Sequence, residues 1–151
     1  MKANLQQINA FLKHHQLALV GVSRDPKKFG SQMMKHLLER DFDVIPVHPE
    51  LVELQGKRCV RDVASLPDHI KALVVALPKD KTDAVLKQAL DKGIEQIWIQ
   101  QFSDGPETQK LINASNANVV TGRCIFMYTD PKGFHKLHER LNKMFGGYAK
   151  P

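Results

Sequence analysis

The stretch Leu17-Ala18-Leu19-Val20-Gly21-Val22-Ser23-Arg24-Asp25-Pro26-Lys27-Lys28-Phe29-Gly30-Ser31 decides how the chain is read. Four aliphatic residues without polar alternation describe a strand buried on both faces, the situation of a parallel sheet covered by helices. Gly21 then permits a tight exit, a charged loop follows, and helical spacing of apolar residues begins at about Ser31. The same unit recurs along the chain. Short aliphatic runs lie at Asp43 to Val47, Ala72 to Leu77, Gln96 to Gln100 and Asn118 to Val120, with helical patterns at Ser31 to Arg40, Lys81 to Lys92 and Glu107 to Asn116. This βαβα alternation predicts an α/β fold, a doubly wound parallel sheet of five strands in order 3-2-1-4-5, numbered along the chain. The link from Pro49 to Lys71 is less regular, although Ser65-Leu66-Pro67 could open a short helical turn. Flanking helices are expected at Asn4 to Lys13 and at Lys132 to Phe145, the second with Phe134, Leu137, Leu141 and Met144 on one face.

A length of 151 residues fits one domain, with 1–15 and 132–151 as its terminal appendages. Hydrophobic residues at 42% and charged ones at 25% exclude a disordered, collagen-like or coiled-coil chain. Asn4, Gln6, Gln7 and Asn9 interrupt the first apolar stretch, and no run approaches the roughly 18 residues that span a bilayer, so a soluble cytoplasmic protein is expected. The two cysteines, Cys59 and Cys124, have no CxxC spacing and imply neither a disulfide framework nor a zinc site. Lys and Arg number 22 against 16 Asp and Glu, a balance of +6 that favours polyanionic partners without choosing among them.

In an open parallel sheet a ligand sits beyond the carboxyl ends of the strands, beside the first strand, which directs attention to the Gly21 to Gly30 loop. Gly30 and Ser31 present amides at the positive end of a helix dipole, Ser23 adds a hydroxyl, and Arg24, Lys27 and Lys28 add charge. The loop reads as a phosphate cradle; the alternative is a surface turn kept soluble by its charges. A dinucleotide fingerprint would need GxGxxG here and an acidic residue at the end of the second strand. The glycines are widely spaced and Pro46-Val47-His48-Pro49 offers no carboxylate before Glu50, which disfavours an NAD(P)-dependent oxidoreductase.

Taken together, Val20-Gly21-Val22-Ser23, Lys28-Phe29-Gly30, Val44-Ile45-Pro46-Val47-His48-Pro49 and Leu54-Gln55-Gly56-Lys57 resemble the CoA-binding domain proteins. These are single-domain relatives of the nucleotide-binding domain of succinyl-CoA synthetase alpha subunits. Ile97-Trp98-Ile99-Gln100-Gln101 and Gly122-Arg123-Cys124 look like the family's later strand ends, so the resemblance runs from about Leu17 to Met127. It implies a Rossmann-like sheet that binds CoA or a related phosphorylated adenine nucleotide. By that carry-over Gly21, Val22, Ser23, Arg24, Lys28, Phe29 and Gly30 line the phosphates. Val47, His48 and Pro49 form a wall near the adenine or pantetheine, and Leu77, Pro78 and Lys79 form a rim. Lys79 and Gln101-Phe102-Ser103 depart from the family, which places an arginine and a more glycine-rich loop there. The synthetases carry their phosphorylatable histidine on a further domain, so binding without catalysis is expected. An interaction module on a retained nucleotide-binding fold, meeting a protein partner or a second copy, is the alternative.

Other residues carry less. His135 and His138 share a helix face but match no zinc motif, and His14 and His15 suit a helix end. Cys124 beside Arg123 is read as a core thiol, with a reactive thiolate as the alternative. Trp98 is read as core, and Phe29 either covers a ligand or anchors its loop. The basic residues are spread along the chain, with only a modest group at Lys132, Lys136, Arg140 and Lys143, which disfavours nucleic acid.

Overall fold

The structure, a computed structural model, describes residues 2–129, so the expected Lys132 to Phe145 helix and its paired histidines lie outside the described residues. Helix α1 (Leu5–Leu12) opens on a capping box in which Asn4 accepts from the Gln7 amide at 2.9 Å and the Gln7 side chain accepts from the Asn4 amide at 3.1 Å. There follow β1 (Gln16–Val20), α2 (Phe29–Glu39), β2 (Asp43–Val47), β3 (Glu53–Leu54), β4 (Lys57–Arg58), a 3-10 turn at Val63–Ser65, β5 (Ala72–Val75), α3 (Lys79–Lys92), β6 (Gln96–Gln100), α4 (Thr108–Asn113), β7 (Asn118–Arg123) and α5 (Phe126–Thr129).

Five strands form one parallel sheet in the order β2-β1-β5-β6-β7. Val60 bridges Val47 in parallel on the far side of β2, so a short segment occupies the outermost place of a 3-2-1-4-5 arrangement. The Ala72 run, expected there from its position in the chain, lies instead beside β1. Burial explains why. All four residues of β5 are wholly enclosed, which only a central strand with helices on both faces achieves.

Period-2 alternation divides the strand side chains between two cores. Leu17, Leu19, Val74, Trp98 and Val120 face α1, α2 and α5 with Phe11, Met33, Met34 and Leu37. Ala18, Val20, Leu73, Val75, Ile97 and Ile99 face the other way, onto Leu86 and Ala89 of α3 and onto Val63 and Leu66. Trp98 is a core residue, as expected: Phe11 meets it edge-on at 5.4 Å and its indole donates to the Arg123 carbonyl at 3.2 Å. Truncating such a ring to alanine commonly costs about 3–5 kcal/mol. Among the described residues no helix is long and apolar enough to cross a membrane.

Three boundaries differ from expectation. Helix α3 starts two residues early, because Pro78 has the extended backbone of an N-cap. Strand β7 runs on to Arg123 through a register shift opposite Trp98 and Gln100, where Gly122 takes a φ of +67°. The irregular link holds the β3–β4 hairpin, whose turn Gln55-Gly56 has φ of +49° and +78°, and its helical turn precedes Ser65-Leu66-Pro67.

Candidate functional site

Register sets the stage. Val20 of β1 pairs with Val47 of β2 and with Val75 of β5, so Gly21, His48 and Ala76 leave the sheet side by side at its carboxyl edge. The chain turns from β1 towards β2 on one side and from β5 towards β6 on the other, and that divergence opens the crevice in which such sheets take ligands.

Two glycines bring a helix end to this point. Gly21 has φ +108°, and a Cβ on it would collide with the Ala76 carbonyl. A Cβ on Gly30 would in turn collide with the Gly21 carbonyl and lie 3.2 Å from the Val22 Cα. Three backbones are thereby stacked in contact: the exit of β5, the exit of β1 and the first turn of α2. The missing side chain of Gly30 admits the neighbouring backbone. Its buried position inside α2 makes it a packing glycine.

The loop between these glycines is tied by its own side chains. Ser23 Oγ accepts from the Asp25 amide at 3.1 Å, an Asp25 carboxylate oxygen accepts from the Lys27 amide at 2.9 Å, and the Lys28 amide donates to the Asp25 carbonyl at 3.1 Å. Arg24, Lys27 and Lys28 are exposed, and none has an ion-pair partner among the described residues. Helix α2 begins without a side-chain cap and without an acidic residue in its first turn. The loop before it therefore sets three cations against the single carboxylate of Asp25, a balance that favours an anionic ligand. Val22 is different: its side chain is in the core, so only its backbone faces the loop. Phe29 packs on Phe126 with ring centroids 5.4 Å apart and anchors the loop to the core.

Beyond β2, His48 organises its own loop. Its Nδ1 accepts from the amides of Glu50 and Leu51, both at 3.1 Å, while its amide donates to the Val60 carbonyl at 2.8 Å. A nitrogen that accepts two amides carries no hydrogen, so Nε2 is the ring's donor. Val47 is buried and Pro49 exposed. At the β5 exit Leu77 is half-buried and Pro78 exposed, and Lys79 is the first residue of α3. The site residues expected from sequence thus share one edge of the sheet, while Val22, Val47 and Gly30 contribute backbone shape.

Sequence reasoning gave Ser31 only an amide's role and gave Gln55 none of its own. Ser31, wholly inside α2, donates from Oγ to the Ser23 carbonyl, and its own carbonyl accepts from Gln55 Nε2 at 2.9 Å. Gln55 sits in the hairpin turn, for which the signal was Gln55-Gly56 between Leu54 and Lys57. Cys124 is buried while the neighbouring Arg123 donates to the Ala3 carbonyl at 3.0 Å, in accord with a core thiol. Burial first, and Glu53 second, push the Cys59 thiol above its ordinary value.

Comparison with known proteins follows this geometry closely. The CoA binding domain family matches residues 15–130. The alpha subunit of an ADP-forming acetate–CoA ligase II of Pyrococcus furiosus is 28% identical over 154 residues, covering 95% of this chain and 32% of its own length. Across the first curated relatives the chain spans about a third of their length or less. A conserved hypothetical protein of Pyrococcus furiosus superposes with a TM-score of 0.71 at 32% identity, covering 75% of this chain and 97% of its own. The crystal structure of Prb, a protein redesigned for binding, gives a TM-score of 0.74 at 25% identity over 100% of this chain and 99% of that one. The match takes in every strand of the sheet and all three strand exits around the crevice, and by it the chain belongs to the CoA binding domain family.

Proposed function

We propose that this protein binds CoA at the carboxyl edge of its sheet and performs no bond chemistry on it. The observation that carries the reading is the family match over residues 15–130, because that range contains the β1, β2 and β5 exits and the whole of α2. The local chemistry supports it. CoA carries a pyrophosphate and a ribose phosphate, and the uncapped α2 N-terminus with Arg24, Lys27 and Lys28 supplies complementary charge. In this reading Ser23 and the Gly21 backbone approach the phosphates, while Val47, His48 and Pro49 wall the adenine or pantetheine. His48 Nε2–H is a donor facing no protein acceptor among the described residues, which suits a polar atom of the ligand. Leu77, Pro78 and Lys79 complete the rim.

The ligase chemistry named in the relatives is a property of proteins several times this length, and only binding is assigned to this chain. Calorimetric titration with CoA, acetyl-CoA, NAD, NADP and ATP tests the assignment. Saturable binding of CoA or its thioester, tighter than that of NAD, is the expected result. NAD binding more tightly than every CoA species would transfer the site to oxidoreductase chemistry. Failure of all five to bind would leave a protein-interaction module on this fold.

A further inference from the structure

Ser31 is an unusual helix residue because both its side chain and its carbonyl have partners outside its own helix. The hydroxyl, almost wholly enclosed at 3% exposure, reaches back across the helix start to the Ser23 carbonyl. Ser23 in turn holds the Asp25 amide, and Asp25 holds the amides of Lys27 and Lys28. On its other side the Ser31 carbonyl takes the Gln55 amide, which fixes the tip of the β3–β4 hairpin over the first turn of α2. One buried residue therefore ties the basic loop and the hairpin to a single helical turn.

We propose that Ser31 is the positioning residue of the ligand crevice: its hydroxyl presets the backbone of residues 23–28 so that Arg24 and Lys28 meet a phosphate without prior ordering, and Gln55 closes the hairpin side. This inference rests on the CoA reading above. The hydroxyl is too enclosed to meet ligand, so its influence passes through the Ser23 carbonyl. Without it that carbonyl loses its donor and the Asp25 turn loses its anchor. Binding must then order the loop, and affinity falls. Gln55 contributes less, because β3 and β4 and the Val60 bridge also hold the hairpin.

The test combines CoA titration with amide hydrogen exchange on the unliganded protein. Ser31→Ala should weaken CoA by about fivefold to tenfold, the range of one buried hydrogen bond. It should also speed exchange at the Asp25, Lys27 and Lys28 amides by about tenfold while β1 and β5 amides change less than about twofold. Ser31→Thr, which keeps the hydroxyl, should bind within about threefold of the parent, and Gln55→Ala should lose less than Ser31→Ala. A parent that binds CoA alongside a Ser31→Ala variant that binds equally well overturns this inference alone. So does faster exchange throughout the sheet, or a Ser31→Thr variant as weak as Ser31→Ala. A parent that binds no CoA species overturns the binding assignment and this inference with it.

Discussion

Two strand-to-helix connections leave the same edge of the sheet and are finished in opposite ways. The β1–α2 connection joins its elements backbone to backbone through Gly21 and Gly30, leaves α2 uncapped and surrounds it with Arg24, Lys27 and Lys28. The β6–α4 connection is closed by a carboxylate. Asp83 of α3 accepts from the Glu107 amide at 2.8 Å and from the Thr108 hydroxyl, while Thr108 Oγ1 accepts from the Gly105 amide at 2.7 Å. Both helix ends carry the same uncompensated amides in isolation. One has a carboxylate reaching it from another helix, and the other has three cations against the single carboxylate of Asp25, which is engaged within its own loop. On the proposed reading, that difference favours α2 as the end that receives a ligand anion.

The largest effect should come from removing the glycine contact that makes the open end possible. Gly21→Val forces a Cβ into the Ala76 carbonyl at a φ of +108°. It should destabilise the protein by at least about 3 kcal/mol in urea unfolding. Gly30→Val, pressing on the Gly21 carbonyl, should behave likewise and fail through folding, not through ligand exclusion. A Gly30→Val protein of parental stability would show that the helix is not held by backbone contact.

Next in size is the charge at the open end. Arg24→Ala with Lys28→Ala should weaken CoA at least tenfold, since each charge-assisted contact is worth about 1.5–3 kcal/mol. Stability should change by less than about 0.5 kcal/mol, because both side chains are exposed and have no ion-pair partner among the described residues. Parent affinity should fall with added salt, and the variant's should fall less steeply. Parental affinity in the folded double variant would assign the phosphates to another loop.

The closed end should respond in the reverse sense. Asp83→Ala removes the carboxylate that caps α4 and should lower stability by about 1 kcal/mol, the usual worth of a helix cap. CoA affinity should stay parental. A loss of affinity to match the loss of stability would erase the distinction between the two ends.

Smallest is an acid-side effect away from both connections. The Ser65 hydroxyl first and the Ser65 amide second hold the exposed Asp62 carboxyl below its ordinary 3.8. A folded pKa below the unfolded one means a contribution complete above 3.8 and lost as the pH falls through the folded value. Asp62→Asn should therefore make acid unfolding slightly less steep in that window and leave neutral-pH binding unchanged. A steeper acid limb in the variant would reverse the sign.

Much of this was legible in the chain because burial on both faces writes itself as uninterrupted aliphatic runs, as at Leu17 to Val20 and Ala72 to Val75. The neighbour of each run was not legible. An apolar run records that it is covered, not which strand lies beside it, and β5 consequently stands next to β1. The basic loop could be read locally from Gly21 to Gly30, but the reason for Gly30 could not, since its contact is with a backbone nine residues earlier. The hairpin strands are two residues each, with Leu54 their one apolar residue, below any periodic signal. Asp83 capping α4 and Gln55 reaching Ser31 span 24 residues each, and no local pattern announces such pairs.

Amide chemical shifts followed through a CoA titration test the central claim most directly. The account predicts the largest shifts at residues 21–31 and at His48, with Gly105, Glu107 and Thr108 nearly still. Shifts centred on the capped α4 end, with the α2 loop unmoved, would contradict it.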